Sequence, residues 1–163
     1  MSTPRRFIRL LAVVGAVALS ACASASLVDH SFSFDAITDS PDAELLDYRY
    51  GDSKQRPTRN PEYLRQEGRS IQRGGISGEM LRGDFLYVKW RIKSTGQVYE
   101  DTVDLRRRLP ADITDHRIHF IVKGPQLYVY LITPERRPPD MPPNGPRPYQ
   151  YLKTITIYPD QAK

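Results

Sequence analysis

The stretch DFLYVKWRIKSTGQVYEDTVDL, residues 84–105, holds two alternating runs on either side of Thr95-Gly96. In the first run, apolar residues at every second position alternate with aromatic and basic ones. The apolar positions are Leu86, Val88, Trp90 and Ile92. A period of two indicates a strand with one buried face. A Thr-Gly pair between two such runs favours a tight two-residue turn. The stretch therefore predicts a β-hairpin.

The register of this hairpin follows from its apolar residues. A two-residue loop places Ile92 opposite Tyr99, Val88 opposite Val103, Leu86 opposite Leu105, and Arg91 opposite Glu100. A three-residue loop would place Val88 opposite Thr102 instead. Because a slip of one residue exchanges the two faces of a strand, the apolar pattern favours the two-residue loop. Asp101 would then lie opposite Trp90. We expect this carboxylate at the rim of the sheet, the alternative being a buried carboxylate that accepts the indole N–H.

Further strands are predicted along the chain, with turn residues between them. They are HSFSFDAI (30–37), ELLDYRYG (44–51), RIHFIVKG (117–124), QLYVYLIT (126–133) and KTITIYPD (153–160). SIQRGGISGEM (70–80) is glycine-rich, which favours a broken edge strand or a bulged loop. PEYLRQEG (61–68) indicates one or two helical turns, with Asn60 as the capping residue. About seven short strands with almost no helix predict an all-β fold. We expect an antiparallel β-sandwich, immunoglobulin-like or transthyretin-like, with one short helix.

The strand QLYVYLIT is apolar on both faces. Leu127, Val129 and Leu131 point one way, and Tyr128, Tyr130 and Ile132 point the other. Such a strand is typical of the middle of a sheet that is covered on both sides. Residues 133–148, TPERRPPDMPPNGPRP, contain seven of the fourteen prolines. We call this segment the strap, and we expect it to be extended and to cover the second face.

The first residues have the pattern of an export signal. Arg5, Arg6 and Arg9 precede a ten-residue apolar run, residues 10–19, which small residues follow. This run is about half the length of a membrane-spanning helix, and the whole pattern describes a secretory signal peptide. We therefore expect the signal to be removed from the mature protein.

The exit of the signal, Leu19-Ser20-Ala21-Cys22, resembles the lipobox of bacterial lipoproteins. The resemblance implies that residues 1–21 are removed and that Cys22 carries the lipid. Residues 22–30 would then form the lipidated end and a tether, and residues 31–163 a single domain. Ala23, where an Asp would favour retention at the inner membrane, implies the periplasmic face of the outer membrane. The alternative is an ordinary signal cleaved near Ala23 or Ala25.

Composition excludes some sources of stability and some partners. Cys22 is the only cysteine, so the domain forms no internal disulfide and depends on its hydrophobic core. The net charge is +5, but three of the basic residues lie in the signal. We therefore expect no nucleic-acid partner. Arg106, Arg107 and Arg108 form the densest basic cluster. It is either a solvated strand end or a contact for anionic lipid or polymer headgroups.

Candidate catalytic groups are few. Asp112, Asp115, His116 and His119 are close in sequence, but spacing three on a strand would place the two imidazoles on opposite faces. We therefore expect no metal site, no catalytic residue and no cofactor other than the covalent lipid. A hydrolase that uses these four residues is kept as an alternative.

The remaining surface candidates are aromatic. Tyr87, Tyr128, Tyr130, Tyr149 and Tyr151 could form a binding face for sugar rings or an extended peptide, or could pack in the interior. The sequence thus favours a non-catalytic envelope protein that binds an envelope protein partner while the lipid anchors it to the membrane. The main alternative is a periplasmic inhibitor or immunity lipoprotein that blocks a toxin or a cell-wall hydrolase.

Overall fold

This computed structural model describes residues 27–160, which contain eight strands and three short helices. The strands are β1 (Leu27–Asp35), β2 (Ala43–Tyr50), β3 (Arg73–Leu81), β4 (Phe85–Ile92), β5 (Val98–Asp104), β6 (Arg117–Lys123), β7 (Gln126–Arg136) and β8 (Leu152–Tyr158). The helices are α1 (Ala36–Asp39), α2 (Glu62–Gln66) and a 3₁₀ turn (Arg147–Tyr149). None of the helices in this range is long and apolar enough to cross a membrane.

The strands form two sheets that pack face to face. One has the order β3-β1-β6-β7-β8 and the other the order β2-β4-β5. The predicted all-β sandwich is confirmed. All neighbours are antiparallel except β1 and β6, which run parallel with Phe32 beside Ile118. This pair is the one exception to the expected antiparallel arrangement among the described strands. Between β1 and β6 the chain crosses to the smaller sheet twice, for β2 and then for β4 and β5, and forms β3 of the larger sheet in between.

Aromatic side chains from both sheets fill the core. The rings of Phe32 and Tyr50 stack across the sandwich with centroids 4.7 Å apart and 5° between their planes. Phe34 and Phe120 stack within the larger sheet at 5.0 Å. Phe32 and Phe34 are almost fully buried, as the alternation in HSFSFDAI predicts. Burial on this scale supplies the stability that disulfides cannot.

The β4–β5 hairpin has a different register from the predicted one. Val88 lies opposite Asp101, and Trp90 lies opposite Tyr99. The backbone N–H of Ile92 donates to Gln97 O at 2.9 Å, so the loop has four residues, 93–96. The register predicted from a two-residue loop was therefore wrong by two positions. A shift of two keeps every side chain on its face, so the apolar pattern alone could not detect it.

Asp101 lies at the rim of the sheet, as expected. It is partly exposed and accepts a hydrogen bond from the Tyr158 hydroxyl at 2.7 Å. The alternative partner is excluded, because the Trp90 indole N–H donates to the carbonyl of Gly124 at 2.8 Å.

Local boundaries differ from the sequence predictions in three places. β1 begins at Leu27, four residues before the expected start of the domain, so residues 27–30 belong to the strand and not to the tether. The segment Arg73–Leu81 forms one continuous edge strand, β3. Asn60 does not cap α2. Its amide N–H groups instead donate to carbonyls of neighbouring loops, those of Leu46 and Arg69.

The two apolar faces of β7 are confirmed. Leu127, Val129 and Leu131 join the main core, whereas Tyr130 and Ile132 form a second buried cluster on the outer face of the larger sheet. The strap begins differently from the prediction, because Thr133–Arg136 continue β7. The pairing of β7 with β8 is irregular between Ile132 and Arg136. Pro134 lies in this interval and has no backbone N–H to donate to the hydrogen-bond ladder.

Candidate functional site

A cavity of about 430 Å³ opens on the outer face of the larger sheet. Three parts of the chain form it: the α1–β2 connection, the end of β6 with the turn that follows, and the strap. We call it the strap cavity. The charged side chains that line it are Asp39, Asp42, Lys123 and Arg147.

Helix α1 brings Asp39 into this cavity. The helix begins because the carboxylate of Asp35 accepts the backbone N–H of Thr38 at 3.0 Å, a side-chain N-cap. One turn later, Asp39 Oδ2 lies 3.2 Å from His119 Nε2, and both side chains are only 2% exposed. Asp39 Oδ1 accepts the backbone N–H of Arg147 at 3.3 Å. The carboxylate therefore joins α1 to β6 and to the strap.

His119 links this carboxylate to β1. Its Nδ1 lies 2.8 Å from Ser33 Oγ. A carboxylate only accepts hydrogen bonds, so Nε2–H of His119 donates to Asp39 and Nδ1 accepts the Ser33 hydroxyl proton. Burial lowers the pKa of His119, and the adjacent Asp39 opposes that shift. The neutral imidazole thus links the Ser33 hydroxyl to the Asp39 carboxylate through hydrogen bonds.

Ser33, His119 and Asp39 have the order of donors and acceptors found in a hydrolase triad. A nucleophile, however, must reach a substrate. Ser33 is 5% exposed, and among the described residues that line the strap cavity neither Ser33 nor His119 appears. What this geometry does is hold α1 against β1 and β6.

Charges of both signs surround the mouth of the cavity. Lys123 and Arg147 are exposed cations, and Asp42 is an exposed carboxylate. The Lys123 ammonium also lies 5.8 Å from the ring centroid of Tyr128. The mouth can therefore bind groups of either charge and lies beside an aromatic surface.

Three of the five predicted tyrosines lie together beside the strap cavity. Tyr128 and Tyr130 have nearly parallel rings, with centroids 6.4 Å apart, and Tyr149 packs against the same cluster. We call these three the tyrosine cluster. Tyr130 is 5% exposed, and the strap covers it, since a Cβ on Gly145 would lie 3.3 Å from its Cδ1. The strap thus covers part of the face, as predicted.

The other two predicted tyrosines do not join this cluster. Tyr87 lies on β4 in the smaller sheet, where its hydroxyl donates to Glu100 at 3.0 Å. Burial, followed by that hydrogen bond, raises the pKa of Tyr87 to about 12. Tyr151 is 60% exposed just before β8. A single face built from all five tyrosines is therefore wrong, because they are divided between the two sheets.

Two of the three clustered arginines bind carboxylates of this chain. Arg106 pairs with Asp104 at 2.6 Å, and Arg108 pairs with Asp160 at 2.5 Å. The Arg106 guanidinium lowers the pKa of Asp104 to about 2. The Arg108 guanidinium also lies 5.2 Å from the ring centroid of Tyr158. Arg106 and Arg108 are thus engaged by carboxylates of this chain, whereas Arg107 is exposed and can contact an anion from outside.

The Asp112, Asp115, His116 and His119 group does not converge. His116 Nδ1 bonds to Thr114 O at 2.7 Å, whereas His119 faces Asp39 and Ser33. Asp112 accepts the backbone N–H of Thr114 within its own loop. Among residues 27–160, no group of three or more His, Cys, Asp or Glu side chains could hold a metal ion. Cys22 lies outside the described residues.

Comparison with protein-family models, with curated proteins and with solved structures finds no match for this chain.

Sequence reasoning missed Asp39, Ser33 and Arg147. His119 was visible as a polar position among the apolar residues of RIHFIVKG, whereas Ser33 stands on the polar side of the alternating strand HSFSFDAI. Nothing in the sequence paired them, because 86 positions separate these two residues and the parallel β1–β6 contact that joins them was not expected. A search for polar residues within predominantly apolar strands would have selected His119 but not Ser33.

Proposed function

We propose that this protein is a non-catalytic, lipid-anchored interaction module at the periplasmic face of the outer membrane. Its partner is an envelope protein, which it binds through the strap cavity and the exposed part of the tyrosine cluster. The observation that carries the proposal is the cavity of about 430 Å³ with charges of both signs at its mouth. Cavities of this volume hold a small ligand or a few side chains of a peptide.

The chemistry of the mouth favours a polypeptide partner over an anionic polymer. Asp39 and Asp42 line the same cavity as Lys123 and Arg147, so an anionic polymer would meet repulsion as well as attraction. A polypeptide segment carries both signs of charge. Tyrosine rings beside the cavity add contact area at a low cost in side-chain entropy.

The anchor supports the location. Leu19-Ser20-Ala21-Cys22 fits the lipobox, and a diacylated or triacylated cysteine leaves a membrane very slowly. A domain held in this way meets its partners at the membrane surface.

The experiment is an affinity capture from detergent-solubilised envelopes with the full lipidated chain as bait. Lys123→Glu and Arg147→Glu reverse the two cations of the mouth. Lys54→Glu is the matched control, because Lys54 is an exposed lysine on a different loop. We expect one envelope protein to be enriched by the wild type and by Lys54→Glu, and to be lost with both cavity variants. Equal capture by all four baits would contradict the assignment of the site.

A second candidate function, inhibition of a toxin or a cell-wall hydrolase, is favoured by the loop 52–60. The Ser53 carbonyl accepts bonds from the Thr58 hydroxyl at 3.2 Å and from Arg59 Nη2 at 2.8 Å. These bonds fix the loop and leave Lys54 and Arg56 exposed, as suits a segment inserted into an active cleft. The same capture separates the two functions. Loss of the partner with Lys54→Glu, but with neither cavity variant, would support the inhibitor.

A further inference from the structure

Strand β3 ends one side of the larger sheet. Among the described residues, only β1 pairs with it. It is nine residues long, and its middle, GGISG (74–78), has no charge and no proline. An edge strand with an uncharged middle presents free backbone groups to another chain.

The direction of these free groups is fixed by two hydrogen bonds. The carbonyl of Gln72 faces β1, since it accepts the N–H of Ala36 at 2.8 Å. The carbonyl of Glu79 instead accepts the side-chain amide of Gln55, at 3.3 Å. Because backbone groups alternate along an antiparallel strand, the N–H and C=O groups of Arg73, Gly75, Ser77 and Glu79 point away from β1.

The charges at the ends of this edge are self-complementary. Arg73 and Glu79 lie on the same face of β3, three residues on either side of Ile76. When two copies of β3 pair antiparallel with Ile76 opposite Ile76, each Arg73 lies opposite Glu79 of the second copy. In the same register Gly75 lies opposite Ser77, and both belong to the set whose backbone groups are free. Opposite charges directly across a ladder are stabilising.

Other registers lose this match. A shift of the second copy by two residues either way keeps the free backbone groups paired but separates the two charges. A shift by one residue would place the free backbone groups of one copy opposite backbone groups of the other copy that are already bonded to its own β1. Hydrogen bonding and charge together therefore select one register.

We infer that this protein forms a symmetric homodimer through β3, with Ile76 on the two-fold axis and two Arg73–Glu79 pairs. The interface is isologous, as closed dimers require. It joins the two larger sheets into one continuous sheet of ten strands, twice the five of one copy. The Arg73 N–H of the second copy replaces the Gln55 amide at the Glu79 carbonyl.

The side chains at this edge permit the approach. Arg73 is 59% exposed, although its guanidinium also binds Asp35 at 2.8 Å. The Glu79 side chain makes no ion pair within residues 27–160 and is exposed. Gly75 has no side chain that could crowd a residue of the second copy on the face of the sheet. Ile76 is partly buried against the core, so a second Ile76 would complete its burial.

A charge-reversal experiment tests the register. In Arg73→Glu alone, each end of the dimer would pair two glutamates, and in Glu79→Arg alone, two arginines. We expect the full chain in detergent to be dimeric by sedimentation equilibrium, and each variant to dimerise roughly tenfold more weakly. An equimolar mixture of the two variants matches every charge and should restore the dimer. A monomeric wild type, or a mixture no tighter than its components, would overturn the proposal.

Oxidative cross-linking provides a second readout that does not depend on charge. Ile76→Cys places two thiols on the two-fold axis in a non-hydrogen-bonded pair, where the Cα atoms lie about 4.5 Å apart. Ile155→Cys is the control, because Ile155 is 44% exposed on the opposite edge strand, β8. We expect a covalent dimer from Ile76→Cys above the level of the wild type, and none above it from Ile155→Cys. Equal cross-linking of both variants, or of Ile155→Cys alone, would overturn the β3 interface.

Discussion

Asp39 and His119 are 80 positions apart in the chain, yet Oδ2 of one lies 3.2 Å from Nε2 of the other, and both side chains are buried. His119 Nδ1 also hydrogen-bonds to the Ser33 hydroxyl, and Asp39 also accepts a hydrogen bond from the backbone N–H of Arg147. Four separate parts of the chain thus meet through one carboxylate and one imidazole. Buried polar groups that lose a hydrogen-bond partner destabilise the folded state, so we expect substitutions in this network to lower stability.

Removal of the carboxylate should cost more than removal of the hydroxyl. Asp39→Ala leaves the His119 Nε2–H and the Arg147 N–H without their partner, and we expect a loss of about 1–3 kcal/mol in the free energy of unfolding. Ser33→Ala removes one neutral donor, and the expected loss is about 1 kcal/mol. Asp42→Ala, at an exposed carboxylate of the same cavity, should stay within about 0.5 kcal/mol of the wild type. Urea unfolding at neutral pH measures all three, and equal losses for the three variants would contradict the network.

Stability should fall as the solution becomes mildly acidic. Burial lowers the pKa of both His30 and His119. Between the lowered pKa and the unfolded value of about 6.5, the unfolded chain binds more protons than the folded one. The free energy of unfolding therefore rises with pH in that window, and the contribution is lost as the pH falls below about 6.5. Each histidine adds a slope of at most about 1.4 kcal/mol per pH unit.

The contribution of His119 to this slope can be measured separately. Urea midpoints for His119→Gln should change less between pH 7.5 and 5.5 than those of the wild type. His116→Gln alters a partly exposed histidine and should retain the wild-type slope. An unchanged slope in His119→Gln would remove this residue from the explanation.

Gly145 should tolerate a side chain less well than Gly96. Both have positive φ, +77° and +72° respectively, so alanine pays the same backbone penalty of roughly 1 kcal/mol at each position. A Cβ on Gly145 would also lie 2.7 Å from Thr154 Cγ2, whereas a Cβ on Gly96 meets nothing within 4 Å. Thermal unfolding should therefore show a larger loss for Gly145→Ala. Equal losses would mean that the strap does not pack against β8 as described.

The register of the β4–β5 hairpin can be trapped with engineered thiols. Lys89 lies opposite Glu100, and Ile92 with Gln97 forms a hydrogen-bonded pair, so Lys89 and Glu100 form a non-hydrogen-bonded pair. Their Cα atoms are close enough for a disulfide. Lys89→Cys with Glu100→Cys should oxidise readily in a Cys22→Ala background. Lys89→Cys with Thr102→Cys, which fits the two-residue loop, should not, and the reverse result would restore that register.

The anchor prediction depends on one residue. Cys22→Ala removes the proposed acceptor of the lipid, and we expect the protein to leave the membrane fraction or to retain its signal. Metabolic labelling with an acyl-chain probe should mark the wild type and not the variant. A wild-type chain without label would contradict the lipoprotein assignment.

Alternating apolar residues made most of the fold predictable. The pattern around Phe32 and Phe34 identified β1, and the two apolar faces of QLYVYLIT identified β7 as a strand covered on both sides. These predictions held because the side-chain period of a strand depends only on local geometry. The apolar pattern could not distinguish the predicted register of the hairpin from the observed one. The two differ by a shift of two residues, which leaves every side chain on the same face of the sheet.

The candidate site was predicted only in part. The strap and the tyrosines beside it came from composition, and Tyr128, Tyr130 and Tyr149 do lie together. The Asp39–His119–Ser33 contact was not predicted, because it depends on which strands become neighbours. That order is a property of the whole chain and has no local signature.

The position of β1 has a consequence for how the chain folds. This strand is made first among the eight, yet it lies between β3 and β6, and its parallel partner begins only at Arg117. The larger sheet therefore cannot close until most of the chain has emerged. Such distant pairing places folding in the slow range of β-sandwiches, milliseconds to seconds. For a chain exported as we propose, this delay would keep the polypeptide from becoming compact until most of it has crossed the membrane.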